Sequence, residues 1–141
     1  MDENLAGALH HVELWVPSIE RATVEWGWLL STLGYSMEQN WGKGASWRRG
    51  STYIVTEESP AMSSEQHQRT APGLNHLAFH AGTKDMVDAL VEDASAHGWQ
   101  QLFAEKYPHA GGADHYAAYL VNSDGFEIEL VAAVTSTIGS D

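Results

Sequence analysis

Apolar and polar positions along the chain follow two alternating periods. Leu9-His10-His11-Val12-Glu13-Leu14-Trp15-Val16 and Leu74-Asn75-His76-Leu77-Ala78-Phe79-His80-Ala81 alternate as half-buried strands do. Each runs into a stretch of helical period. Ser18 and Thr83 stand where helix N-caps belong, with Glu20 and Asp85 in the first turn. Ala22, Trp26, Leu29, Leu30 and Leu33 predict one buried stripe, and Met86, Val87, Leu90, Val91 and Ala94 predict another. The helices close at Leu33-Gly34 and His97-Gly98, each followed by an aromatic residue. Three strand-like runs follow each helix: about 35–41, 45–49 and 51–57, then about 99–104, 114–121 and 126–132. Gly42-Lys43-Gly44, Arg49-Gly50 and Asn122-Ser123-Asp124-Gly125 supply turns between them.

The chain therefore reads βαβββ twice, and an offset of 65 (76 − 11) lays His76 on His11 and Phe79 on Leu14. The expected fold class is α+β, with two βαβββ modules forming a curled mixed sheet around a cavity and the helices on its outer face. We expect a single domain over residues 1–141: module one about 8–57, a linker 58–73, module two about 74–133 and a tail 134–141. The second module is longer, and the glycine-rich stretch 107–113 takes up the excess as a loop over one end of the sheet.

Side-chain alternation assigns faces. Val12, Leu14 and Val16 should pack on a helix, as should Leu77, Phe79 and Ala81, Ile54 and Thr56, and Phe126, Ile128 and Leu130. The same rule puts His11, Glu57, His76 and Glu129 on the other face. If the strands curl towards each other, two imidazoles and two carboxylates converge, a set suited to Ni, Zn, Fe, Mn or Co. Glu58 replaces Glu57, or Glu127 replaces Glu129, if the register slips. His80, His115, Tyr53 and Tyr119 share suitable parity for supporting roles, whereas His10 has the wrong parity and should face the helix or an edge. Trp15, Trp41 and Trp47 are candidate cavity walls. Trp26, Trp28 and Trp99 belong to the core or an interface.

Composition narrows the class. Seven basic against nineteen acidic residues give a net charge of −12, which disfavours nucleic acid and anionic membranes as partners. Glu20, Glu25, Asp85, Asp88 and Glu92 read as solvated helix faces and account for much of that charge. With no cysteine there is no thiol nucleophile and no Cys-type zinc site. No apolar run reaches the roughly 20 residues of a bilayer span, and Met1-Asp2-Glu3-Asn4 does not resemble a signal peptide. A cytoplasmic protein is expected.

Three stretches resemble the vicinal oxygen chelate superfamily, which includes glyoxalase I, fosfomycin- and bleomycin-resistance proteins and extradiol dioxygenases. They are His11-Val12-Glu13-Leu14-Trp15-Val16-Pro17, Gly73-Leu74-Asn75-His76-Leu77-Ala78-Phe79 and Asp124-Gly125-Phe126-Glu127-Ile128-Glu129-Leu130. The resemblance implies a divalent metal ion on His11, Glu57, His76 and Glu129. It also implies a small oxygen-chelating substrate and lyase or isomerase chemistry, with Glu129 or Glu57 moving the proton. Tyr53, Tyr119, His80, His115, Trp15, Trp47 and Arg48 would form the surrounding pocket, and a homodimer is common in the family. Two other activities are implied by particular relatives. Tyr119, ten residues before Glu129, is placed similarly to a dioxygenase tyrosine. The tryptophans and acids would suit metal-free drug sequestration, as in bleomycin-resistance proteins. No basic pair for glutathione carboxylates is evident, which argues against true glyoxalase I activity.

Overall fold

The structure is a computed structural model that describes residues 3–134. They fall into two compact units that divide between Glu65 and Gln66, inside the stretch read as a linker. The tail read at 134–141 lies outside the described residues beyond Val134.

The first unit contains β1 (His11–Trp15), α1 (Ile19–Thr32), β2 (Ser36–Asn40), β3 (Gly44–Arg49) and β4 (Thr52–Glu57). The second contains β5 (Leu77–His80), α2 (Lys84–Ala94), β6 (Trp99–Leu102), β7 (Ala117–Asn122) and β8 (Glu127–Val131). Short 3-10 turns occupy Glu3–Leu5, Ser95–His97 and Ala104–Lys106. Each unit holds one four-stranded mixed sheet, ordered β1-β4-β3-β2 and β5-β8-β7-β6. The first strand of each module lies parallel to the last, and the other pairs are antiparallel. The fold is α+β with two βαβββ modules, each carrying its own four-stranded mixed sheet.

The helix signals act as the sequence predicts. Ser18 Oγ accepts from the Arg21 amide at 3.1 Å, and Thr83 Oγ1 accepts from the Met86 amide at 3.1 Å. Gly34 and Gly98 follow the helical segments at φ +96° and +88°, a conformation that costs glycine little. Ala22, Trp26, Leu29 and Leu30 are buried on α1, and Val87, Leu90 and Ala94 on α2.

Three helix positions differ from the reading. Glu25 is only 5% exposed, because it lies three residues after Ala22 and four before Leu29, on the buried stripe itself. Met86 is 54% exposed in the first turn of α2. Its sulfur folds over Gly82, where an added Cβ would stand 2.6 Å away. Asp88 does not simply face solvent either, since its carboxylate accepts from Tyr107 and Tyr116. In the second sheet, β7 starts at Ala117 rather than 114, because residues 112–115 make a turn closed by the His115 amide on the Gly112 carbonyl at 3.1 Å. Residues Glu127–Leu130 of β8 are buried on both faces.

Candidate functional site

Strand register fixes which groups can meet within each unit. In the first, His11 stands opposite Tyr53, Glu13 opposite Val55 and Trp15 opposite Glu57. In the second, Ala78 stands opposite Glu129. Each key histidine thus lies two residues before the partner of one position on the last strand. That position holds Glu129 in the second module and Val55 in the first. The expected equivalence of Glu57 with Glu129 is therefore off by two residues, and Glu57 lies four strand positions beyond the partner of His11. Alternation alone cannot detect the slip, because residues two apart share a face.

The neighbouring glutamates have other partners. Glu58 Oε1 accepts the Ile19 amide at the start of α1 at 2.9 Å, and its other oxygen pairs with Lys43 at 3.0 Å. The Ile19 bond first, then the lysine, hold its carboxyl below the usual carboxylate range. Glu127 is buried and bound to Arg69 at 2.9 Å. Neither is free to replace Glu57 or Glu129 as the reading allowed.

Glu129 lies at the centre of a polar cluster. His76 Nε2 is 3.0 Å from Oε1, and His115 Nε2 bonds to Oε2. Tyr119 faces Glu129 across the β7–β8 ladder and also bonds to it. Burial and then the Glu129 charge push the Tyr119 hydroxyl up to about 12. Its ring meets His76 edge-on at 5.9 Å. The first module has no counterpart of this cluster: Val55 replaces Glu129, and Ser46, opposite Val55, replaces Tyr119.

The residue before each key histidine holds that imidazole, and the sequence reading missed both. Asn75 Oδ1 meets His76 Nδ1 at 2.7 Å, and Asn75 Nδ2 donates to the Arg69 carbonyl at 2.9 Å, which fixes the amide orientation. His10 Nδ1 meets His11 Nδ1 at 2.9 Å, so His10 turns to its neighbour instead of the helix. The 65-residue offset would have aligned Asn75 with His10, but residue type alone does not disclose the shared task. Both arrangements occupy Nδ1. In His76 the bond from Nδ1 leaves Nε2 to face the carboxylate.

The remaining candidates divide. The Tyr53 ring stacks on His11 with centroids 4.7 Å apart, and the Arg48 guanidinium lies 4.7 Å over Tyr53 while pairing with Glu38 at 2.8 Å. The Trp15 indole donates to Glu13 at 2.7 Å on that exposed face. His80 is exposed opposite Val131 at the end of β5. Trp47 contradicts its assignment as a pocket wall. It pairs with Ile54, on the helix side of the sheet, and a Cβ on Gly27 of α1 would stand 3.1 Å from its ring. Trp41 is half-exposed beside Gly44.

A cavity of about 260 Å³ opens beside His109, His115 and Tyr116. The larger one, about 700 Å³, lies at Lys43 and Glu58 and includes none of the clustered histidines. Among the described residues, no three His, Asp or Glu side chains stand arranged to hold a metal ion. No helix of the described residues is long and apolar enough to cross a membrane.

Asp88 anchors the loop behind this cluster. Bonds from Tyr107 and then Tyr116 hold its carboxyl below the ordinary range. A depressed folded value stabilises the protein above the unfolded value of about 3.9, and that contribution is lost as pH falls through the folded value. Asp88→Asn is expected to lower stability at pH 7 and to flatten the acid limb below about pH 4. Urea midpoints measured from pH 7 to 2 check this. An acid limb as steep as wild type would contradict it.

Comparison with known proteins bears on the family and the fold. A family profile described as Glyoxalase/Bleomycin resistance protein/Dioxygenase superfamily matches residues 10–119. The uncharacterized protein YqjT of Bacillus subtilis (strain 168) is 42% identical over 126 residues, covering 88% of this chain and 98% of the relative. A candidate glyoxalase of known structure from Bacillus halodurans is 37% identical with a TM-score of 0.86, covering 92% and 98% of the two chains. The fosfomycin resistance protein FosX from Listeria monocytogenes, solved with Mn(II) and 1S,2S-dihydroxypropylphosphonic acid, shares the fold at 16% identity and a TM-score of 0.60, covering 91% of each chain. On the extent of the profile match and the identity to its relatives, the chain belongs to the glyoxalase/bleomycin resistance protein/dioxygenase superfamily.

Proposed function

We propose that the protein is a metal-dependent enzyme acting on a small oxygen-chelating substrate by lyase- or isomerase-type proton transfer. His76 and Glu129 bind the divalent ion (Ni, Zn, Fe, Mn or Co). Glu57 is left out of the ligand set, since Val55 holds the position that corresponds to Glu129.

One observation carries the reading. With Asn75 Oδ1 accepting at Nδ1, a neutral His76 presents the Nε2 lone pair to a carboxylate oxygen 3.0 Å away. Two acceptors at that separation need a cation between them, either a proton or a metal ion. A ligating histidine whose other nitrogen donates to a fixed carbonyl is the usual arrangement at metal centres. Imidazole and carboxylate donors also suit the borderline ions named.

When bound, the ion polarises substrate oxygens as a Lewis acid and stabilises the charge that develops when the proton leaves. The side chains do the rest. Glu129 accepts and returns the proton, His115 and Tyr119 hold its carboxylate, and the burial of Glu129 limits competition from water. The reading further includes cytoplasmic residence and a homodimer.

Val55 and Tyr119 favour a second reading. With no glutamate at the Val55 position, Glu129 remains the carboxylate beside His76, and Tyr119 stands directly opposite it. That set suits an extradiol-type dioxygenase using Fe(II). Metal-free drug sequestration draws less support, because Trp47 packs against α1 and Trp15 and Trp41 remain as exposed aromatics.

Elemental analysis of protein purified without added metal, beside His76→Ala, tests the proposal. Stoichiometric divalent metal is expected in the wild type and little in the variant. A wild type that carries none and shows no tight site on titration with Co(II), Ni(II) or Fe(II) would sink it. Oxygen uptake with catechols separates the dioxygenase reading from the lyase or isomerase one.

A further inference from the structure

The chemistry of the second module exceeds what its repeat supplies, and the excess comes from one insertion. Between corresponding positions the second module is nine residues longer than the first (129 − 76 = 53 against 55 − 11 = 44). The extra chain lies in the segment before β7, and it ends at His115. In the first module the residue corresponding to His115 is Gly42, four before Ser46. A glycine there has no side chain to hold a carboxylate, and Val55 offers none.

Several bonds shape the insertion. Tyr107 and Tyr116, at its two ends, both donate to Asp88 of α2, the latter at 2.7 Å. The Ala117 amide donates to the Pro108 carbonyl at 2.9 Å, and His109 Nδ1 meets the His115 carbonyl at 3.2 Å. The loop then lies flat on the cluster. A Cβ on Gly111 would stand 2.7 Å from both His115 Cδ2 and the Tyr119 hydroxyl. Only a residue without a side chain permits that approach without shifting the ring.

We propose that His115 is the positioning residue of Glu129, delivered by this clamped insertion. Its Nε2–H holds Oε2, so that Oε1 is kept beside His76 Nε2. An ionised carboxylate only accepts hydrogen bonds, so the His115 proton must sit on Nε2. One oxygen is thereby fixed as an acceptor and the other is presented with a chosen lone-pair direction. Partners of this kind typically contribute about 10–100-fold to the affinity of the ion held through them. The inference rests on the proposal that His76 and Glu129 bind a divalent ion.

The test is Co(II) titration of the full chain, read by absorption spectrum and affinity. His115→Ala should bind about tenfold more weakly or worse, with an altered spectrum. His115→Gln, whose amide N–H can reach the same oxygen, should recover most of the loss. Asp88→Ala, which touches neither histidine, should show part of it through release of the loop. Co(II) binding by His115→Ala that matches the wild type in affinity and spectrum would overturn the inference. So would a His115→Gln variant that is folded by circular dichroism yet as weak as the alanine variant.

A wild type that takes up no Co(II) defeats the functional proposal instead, and nitrogen NMR of the ¹⁵N-labelled metal-free protein then decides the role of His115. A single Nε2–H tautomer that is lost in Glu129→Ala supports positioning. A ring that averages between tautomers in the wild type overturns it.

Discussion

His76→Ala should abolish tight divalent-metal uptake, weakening affinity by at least ~100-fold, since partners one shell further out are already worth ~10–100-fold. The expectation follows from the two bonds that orient the ring. Asn75 fixes Nδ1 and thereby aims Nε2 at Glu129. Alanine removes the nitrogen and leaves the carboxylate with His115 and Tyr119 as its partners. Asn75→Ala keeps the ligand but frees the ring to rotate, so a smaller loss, about tenfold, is expected. Glu57→Gln is the contrast that makes the series diagnostic. It stands opposite Trp15, away from the position that matches Glu129, and should cost less than the ~10-fold floor for an outer-shell partner. Co(II) or Ni(II) titration by calorimetry measures all three. A Glu57→Gln loss as large as that of His76→Ala would restore Glu57 to the ligand set and show that strand register misleads here.

Trp26→Ala should destabilise the protein by about 3–5 kcal/mol, the largest stability effect expected of any single substitution proposed. The side chain is fully buried on α1, on the same stripe as Ala22, Leu29 and Leu30. Truncation removes a large apolar surface and leaves a cavity that rigid neighbours cannot fill. Against a total stability of roughly 5–15 kcal/mol, that loss leaves a marginal fold. Guanidinium unfolding should show a much lower midpoint with a similar slope. A change below about 1 kcal/mol would mean that α1 contributes little to the first unit's core. His76→Ala, at a half-buried position, should leave the midpoint nearly unchanged. The pair therefore separates loss of metal from loss of fold.

Much of the architecture was legible in the sequence because local signals agreed. Ser18, Thr83, Gly34 and Gly98 bound the helical segments, and alternation in β1 and β5 separated their faces correctly. The repeat then supplies the order of elements along the chain, and the pairing of strands comes from the structure. The site was less legible for a reason of symmetry. Glu57 and Val55 lie on one face of β4, so parity admits either, and pairing with β1 decides between them. Trp47 lies on the helix side and not on the cavity wall, because β3 takes its facing from Ile54 across the ladder. The roles of Glu25 and Asp88 depend on partners brought by folding: Glu25 falls on a helical stripe, and Asp88 meets two tyrosines that lie 19 and 28 residues further along. Parity marks His115 only as a residue on a suitable face. Its bond to Glu129 depends on a turn that alternation cannot describe.

The parallel pairing of each module's first strand with its last has a consequence for synthesis. His11 must wait for Tyr53, and Leu77 for Ile128, before either strand gains a ladder partner. Pairing over such separations closes a long loop at an entropic cost before any contact rewards it. On a ribosome, β1 would leave the exit tunnel as a lone ribbon with one apolar face (Val12 and Leu14) uncovered until β4 follows. His11 at the start of β1 and His76 just before β5 are therefore among the last side chains of their modules to reach their final surroundings.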